Sequence, residues 1–156
     1  MDQLNTLSHW TIFSLAPFAC NELYYLIIFN TLIRVMKIFI SIASYQDPML
    51  EITIKSAYEN ASFPESLIFG VCDQSEHPIN LDSLSFSKNI HYDHVEPLLS
   101  KGPCWARERV QKFFNNEDYY LQIDSHMLFE PSWDKYMVSY IEKIKNEGSD
   151  KHNPPI

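Results

Sequence analysis

Asp124, Ser125 and His126 follow directly on the β-rich run YYLQI, residues 119–123. A carboxylate and an imidazole two residues apart at a strand end need only a slight turn to face one divalent ion bridging a diphosphate. The competing reading is an Asp cap beside a surface histidine. Two other apolar runs end in the same manner: KIFISIAS, residues 37–44, leads into Ser44, Tyr45 and Asp47, and SLIFGVC, residues 66–72, leads into Asp73 and Gln74. In open parallel sheets, ligands bind outside the carboxyl ends of the strands, where loops and helix N-termini converge. These polar residues are therefore the candidates for chemistry, together with Arg107, whose guanidinium suits a phosphate; its alternative role is a helix-surface pair with Glu108.

The elements that would position them alternate short apolar runs with amphipathic stretches from Met36 onward, which specifies an α/β domain with a mostly parallel sheet flanked by helices. Asp47 reads as an N-cap with Pro48 at the first helical position, and Leu50, Ile54, Ala57 and Tyr58 form one apolar stripe before Phe63-Pro64. Residues 74–88 read as loop and 89–95 as a short strand. Gly102-Pro103 opens a second helix with Ala106, Val110, Phe113 and Phe114 inward, ending at Asn115-Asn116. Ser132 caps a third, with Trp133, Tyr136, Met137, Tyr140, Ile141 and Ile144 as its apolar stripe and Gly148 at its end. Trp105 and Trp133 read as packing groups, Cys104 as a small buried side chain, and Arg109 as projecting away from the site. His91 and His94 would point to opposite faces of a strand, which argues against a second metal site.

Composition removes several function classes. With 12 Lys+Arg against 20 Asp+Glu, the net charge of -8 repels phosphate backbones, so nucleic acid is not an expected partner. Three glycines, widely separated, exclude the glycine-rich dinucleotide and P-loop fingerprints. Cys20, Cys72 and Cys104 show no CxxC spacing and fit a reduced, cytoplasmic setting.

Residues 1–35 form a separate apolar segment. A membrane anchor over residues 10–35 is opposed by Glu22, which would cost roughly 2.5–3.5 kcal/mol at the centre of a span. Three readings remain open: an upstream extension ahead of a start at Met36, a peripheral or membrane-associated segment, and an extra core helix. The domain proper is then 36–147, followed by a tail over 148–156.

Three blocks, IFISIASYQDP (38–48), GPCWAR (102–107) and EDYYLQIDSHMLFEPSWD (117–134), resemble the GT-A-fold glycosyltransferases that move N-acetylglucosamine from a UDP donor to protein hydroxyls. The resemblance includes the cytosolic type that modifies hydroxyproline on a ubiquitin-ligase subunit and, more distantly, the mucin-type polypeptide transferases. It implies Asp124 and His126 as ligands of Mn²⁺ or Mg²⁺, and UDP-GlcNAc as donor with Ser44, Tyr45 and Asp47 at the uridine. It further implies Arg107 at the donor as the catalytic cation, a protein or peptide acceptor, and retention of anomeric configuration. Asp73 is then a ribose or base contact, or a turn former.

A complete domain of that family runs to about twice the length of residues 36–156, so the acceptor half and a further metal ligand are expected to be missing. His152 is the only histidine downstream of the motif. The competing expectation is an inactive remnant or interaction module that keeps the donor-binding fold. A nucleotidyltransferase or hydrolase would need clustered carboxylates, which the sequence does not display.

Overall fold

A computed structural model of the chain describes residues 36–149. The expectations for residues 1–35 and for the end of the tail, His152 included, lie outside the described residues. Four strands, β1 (Ile38–Tyr45), β2 (Leu67–Gln74), β3 (Ile90–Val95) and β4 (Tyr119–Ile123), form one parallel sheet in the order β3-β2-β1-β4. The helices are α1 (Leu50–Glu59), α2 (Pro103–Gln111) and α3 (Trp133–Ser149). The expected α/β class with a parallel sheet flanked by helices is what the chain adopts.

β1 is central because nearly every side chain in IFISIASY is buried, as a strand covered on both faces requires. Its residues Ile38, Ile40 and Ile42 meet Leu50, Ile54 and Ala57 of α1 and Trp133 of α3 on one face. Phe39 lies on the other face with Ala106 and Val110 of α2 and Cys72. Gly70 lets α2 come close: a Cβ there would lie 2.8 Å from Val110 Cγ1 and nearer still to the Phe39 ring. Successive strands proceed outward from β1 through β2 to β3, and the chain then returns to pair β4 with the opposite side of β1. The β1/β4 boundary is thus the switch point of the sheet.

Several local expectations are corrected. α1 begins at Leu50 with Met49 in the N-cap position, two residues beyond Asp47. The Asp47 carboxylate nonetheless accepts from the Met49 amide at 2.9 Å, an Asx-type turn that leads into the helix. β2 runs on to Gln74, so Asp73 is a strand residue, and the loop over 74–88 contains two short 3-10 turns, Leu81–Ser83 and Ser87–Asn89. α2 ends at Gln111, short of Asn115-Asn116, and Asn116 makes the following turn at φ 57°. Cys104 is exposed on the first turn of α2, where its side chain faces outward rather than toward Ala106 and Val110.

The stripe assigned to α3 is the largest departure. Tyr136, Tyr140 and Ile144 are 68%, 66% and 52% exposed, while Trp133 and Asp134 are buried. Two anchors in the first turn fix the rotation of the helix. Trp133 Nε1 donates to the Ala57 carbonyl at 2.8 Å, and the Asp134 carboxylate accepts from the Ser62 and Phe63 amides at 2.7 and 2.8 Å. Satisfying these groups turns the tyrosine edge to solvent.

Candidate active site

The ends of β1 and β4 are joined through one carboxylate. After Tyr45 the chain turns at Gln46, φ 47°, whose amide donates to the Gln74 carbonyl at 3.0 Å. That left-handed step carries Asp47 away from β2 and toward β4. Asp47 Oδ2 accepts from Ser125 Oγ at 2.6 Å and contacts His126 Nδ1 at 3.0 Å. Burial works to raise the Asp47 pKa, but the bonds from the Ser125 hydroxyl, the Met49 amide and His126 outweigh it and hold the carboxyl below its ordinary value. The ionised carboxylate in turn fixes the histidine tautomer: Nδ1 carries the proton toward Asp47, and Nε2 is the nitrogen of this 64% exposed side chain left for a ligand.

Asp124, also exposed, has its Oδ1 3.8 Å from Nη2 of Arg107, which rises from α2. Arg109 on the same helix is committed elsewhere. It grips both oxygens of Asp93 at 2.5 and 2.8 Å and lies over the Trp105 ring, 4.9 Å from its centroid. Arg107 is therefore the arginine of α2 that faces the β4 terminus.

A cleft of about 410 Å³ opens on the other side of Asp47, between the loops that follow β1 and β2, and Asp47, Glu51, Asp73 and Glu76 are among its lining. Neither lysine nor arginine lines it, so it favours a neutral group with hydrogen-bond donors over a phosphate. Asp73 is almost fully buried at its base and accepts from the Tyr92 hydroxyl at 2.5 Å. The same hydroxyl accepts from the Ile79 amide at 3.1 Å, which fixes the loop walling the cleft. Burial, reinforced by the Asp73 contact, pushes the Tyr92 phenol well up, so it stays protonated. Tyr45 is 56% exposed at the end of β1, whereas Ser44 is fully buried, its Oγ unpartnered and its carbonyl held by Gln74 Nε2 at 2.8 Å.

The family profile described as Glycosyltransferase (GlcNAc) matches residues 37–82 and 77–152. The chain belongs to the GlcNAc glycosyltransferase family. No curated protein matches it. The first matched segment carries β1, Asp47 and Asp73, and the second carries Arg107 and the Asp-Ser-His run, so both halves of the geometry above fall within this glycosyltransferase. No described helix is long and apolar enough to cross a membrane.

The residues present fit a divalent cation in one specific respect. A ligating imidazole ordinarily donates its second ring nitrogen to a carboxylate, and His126 does so to Asp47. Among the described residues, no group of three or more His, Cys, Asp or Glu side chains converges as a metal site. Asp124 and His126, the pair implied by the resemblance, are the residues that would hold such an ion.

His91 stacks on Phe113, and His94 Nε2 meets the Ser75 carbonyl at 2.7 Å, so both are engaged away from Asp124 and His126. Sequence reasoning missed Thr53, whose hydroxyl donates to the Ser125 carbonyl at 2.7 Å and accepts from the Met127 amide at 3.0 Å. The available signal was a threonine inside the apolar stripe of α1, one position before Ile54. Gln74, a strand-end candidate for chemistry, is instead buried: its side-chain oxygen accepts from Ser100 Oγ at 2.6 Å and its Nε2 donates to the Ser44 carbonyl, which links the β1 end to the loop before α2.

Proposed function

We propose that the chain forms the donor-binding part of a GT-A glycosyltransferase that moves N-acetylglucosamine from UDP-GlcNAc to a hydroxyl of a protein or peptide, with retention, in the cytoplasm. The observation that supports this reading is the shared Asp47 carboxylate, which accepts from Ser125 and contacts His126 Nδ1 at the end of β4, the strand end that also carries Asp124. The acidic cleft between the β1 and β2 ends, lined by Asp47 and Asp73, suits the uncharged nucleoside. Ser44, fully buried, does not line the cleft. Asp47, with both oxygens engaged by protein donors, acts by positioning.

Cleavage of the sugar–phosphate bond builds negative charge on the departing diphosphate, and Arg107, 3.8 Å from Asp124, is the cation that would offset it. Asp124 and His126 would hold Mn²⁺ or Mg²⁺, which when bound neutralises the leaving group as a Lewis acid. Retention requires the acceptor hydroxyl to approach the face of the sugar from which UDP departs.

The test is calorimetry with UDP-GlcNAc, with and without Mn²⁺, on the full chain and on Asp124→Ala, followed by assay for transfer to a peptide hydroxyl. Metal-dependent binding that the variant loses supports the site, and turnover supports the enzyme. Binding without turnover identifies a donor-binding module. Absence of binding in folded protein refutes the reading.

A further inference from the structure

One flank of α1 holds the chain that leaves β4. Beyond the two Thr53 bonds, Ser56 Oγ accepts from the Phe129 amide at 3.0 Å, and the Asn60 carbonyl accepts from the Ser132 amide at 2.7 Å. Within this seam the position of Thr53 is distinctive. The Ser125 carbonyl belongs to the peptide preceding the His126 Cα, and the Met127 amide belongs to the peptide following it. A single hydroxyl oxygen thus fixes both peptide planes flanking His126, and with them its backbone dihedrals. Threonine within a helix ordinarily returns its hydroxyl to its own helix backbone. Here the group is fully buried and spends donor and acceptor on a segment 72 and 74 residues away.

We propose that Thr53 is the positioning residue for His126: it sets the backbone from which the imidazole reaches Asp47, and Asp47 then sets the ring. The inference rests on the preceding functional reading only in taking His126 as a metal ligand. Thr53→Val keeps shape and volume but removes the hydroxyl; Thr53→Ser restores it. Amide exchange and His126 ring ¹⁵N spectra report the geometry in the full-length protein, and Mn²⁺ titration followed by electron paramagnetic resonance reports the ligand.

The expected result is that Thr53→Val exposes the Met127 amide, alters the His126 ring spectrum and weakens Mn²⁺ binding about tenfold. Protection across β1 and β2 should persist, and Thr53→Ser should recover all three properties. Wild-type Mn²⁺ affinity in Thr53→Val, or an unchanged ring spectrum, overturns the proposal. If the wild-type chain binds no Mn²⁺, the metal reading fails by itself. The ring spectra then decide on Thr53: a change in Thr53→Val reversed in Thr53→Ser sustains positioning, and its absence removes it.

Discussion

Ser125 Oγ lies 2.6 Å from Asp47 Oδ2, across 78 residues of chain, and the same oxygen meets His126 Nδ1. Asp47→Asn keeps one acceptor but replaces the other oxygen with a donor, so the amide cannot reproduce the carboxylate's whole set of bonds in either orientation. The variant should lose about 1–2 kcal/mol of stability by urea denaturation and bind Mn²⁺ on the order of tenfold more weakly. Equal affinity in both proteins would show that the imidazole needs no carboxylate.

The same contacts predict a pH dependence. The folded state depresses the Asp47 pKa below its ordinary value, so the group's contribution is present above that value and is lost as pH falls through the folded value. The stability difference between wild type and Asp47→Asn should therefore be flat above about pH 5 and shrink on further acidification. Denaturation curves at a series of pH values measure it directly.

The two arginines of α2 should separate binding from stability. Arg107→Ala breaks one long, exposed ion pair, worth well under about 1 kcal/mol, yet should weaken UDP binding severalfold or more. Arg109→Ala removes a bidentate grip on Asp93 and a contact with Trp105, and should cost about 1 kcal/mol while leaving UDP affinity unchanged. Paired calorimetry and thermal melts on both variants give the comparison.

Gly70→Ala should destabilise by about 1–3 kcal/mol, because the added methyl meets the buried Phe39 ring and Val110 Cγ1. A melting temperature equal to wild type would mean that α2 can withdraw from the sheet at little cost.

Alkylation at neutral pH should label Cys104 in native protein and spare Cys72. Cys104 is exposed, whereas burial, aided by the Asp93 charge, pushes the Cys72 thiol up to about 11. Peptide mapping before and after denaturation distinguishes the two sites.

The strands were legible because buried parallel strands read as unbroken apolar runs, and the candidates at their ends followed from chain direction alone. What the sequence concealed depends on partners distant in the chain. The Thr53 hydroxyl looks like an interruption of the α1 stripe until Ser125 and Met127 are brought beside it. The tyrosines of α3 share the period of Trp133, but Asp134, an apparent surface residue, captures two amides and rotates them outward. Asp47 was read as a local cap, and it does serve the Met49 amide; its bonds to Ser125 and His126 required the fold.

The placement of β4 beside β1 also governs how the protein is assembled in time. Lys37 and Asp118, which meet where the two strands begin, are 81 residues apart in sequence. β1 and β2 can associate after a much shorter closure, but the contacts of Asp47 with Ser125 and His126 exist only once the longest loop has closed and its entropy has been lost. The Asp47–His126 arrangement thus carries a larger loop-closure cost than the cleft between β1 and β2. A ligand held by His126 would thereby stabilise this longest closure, because it binds only the folded arrangement.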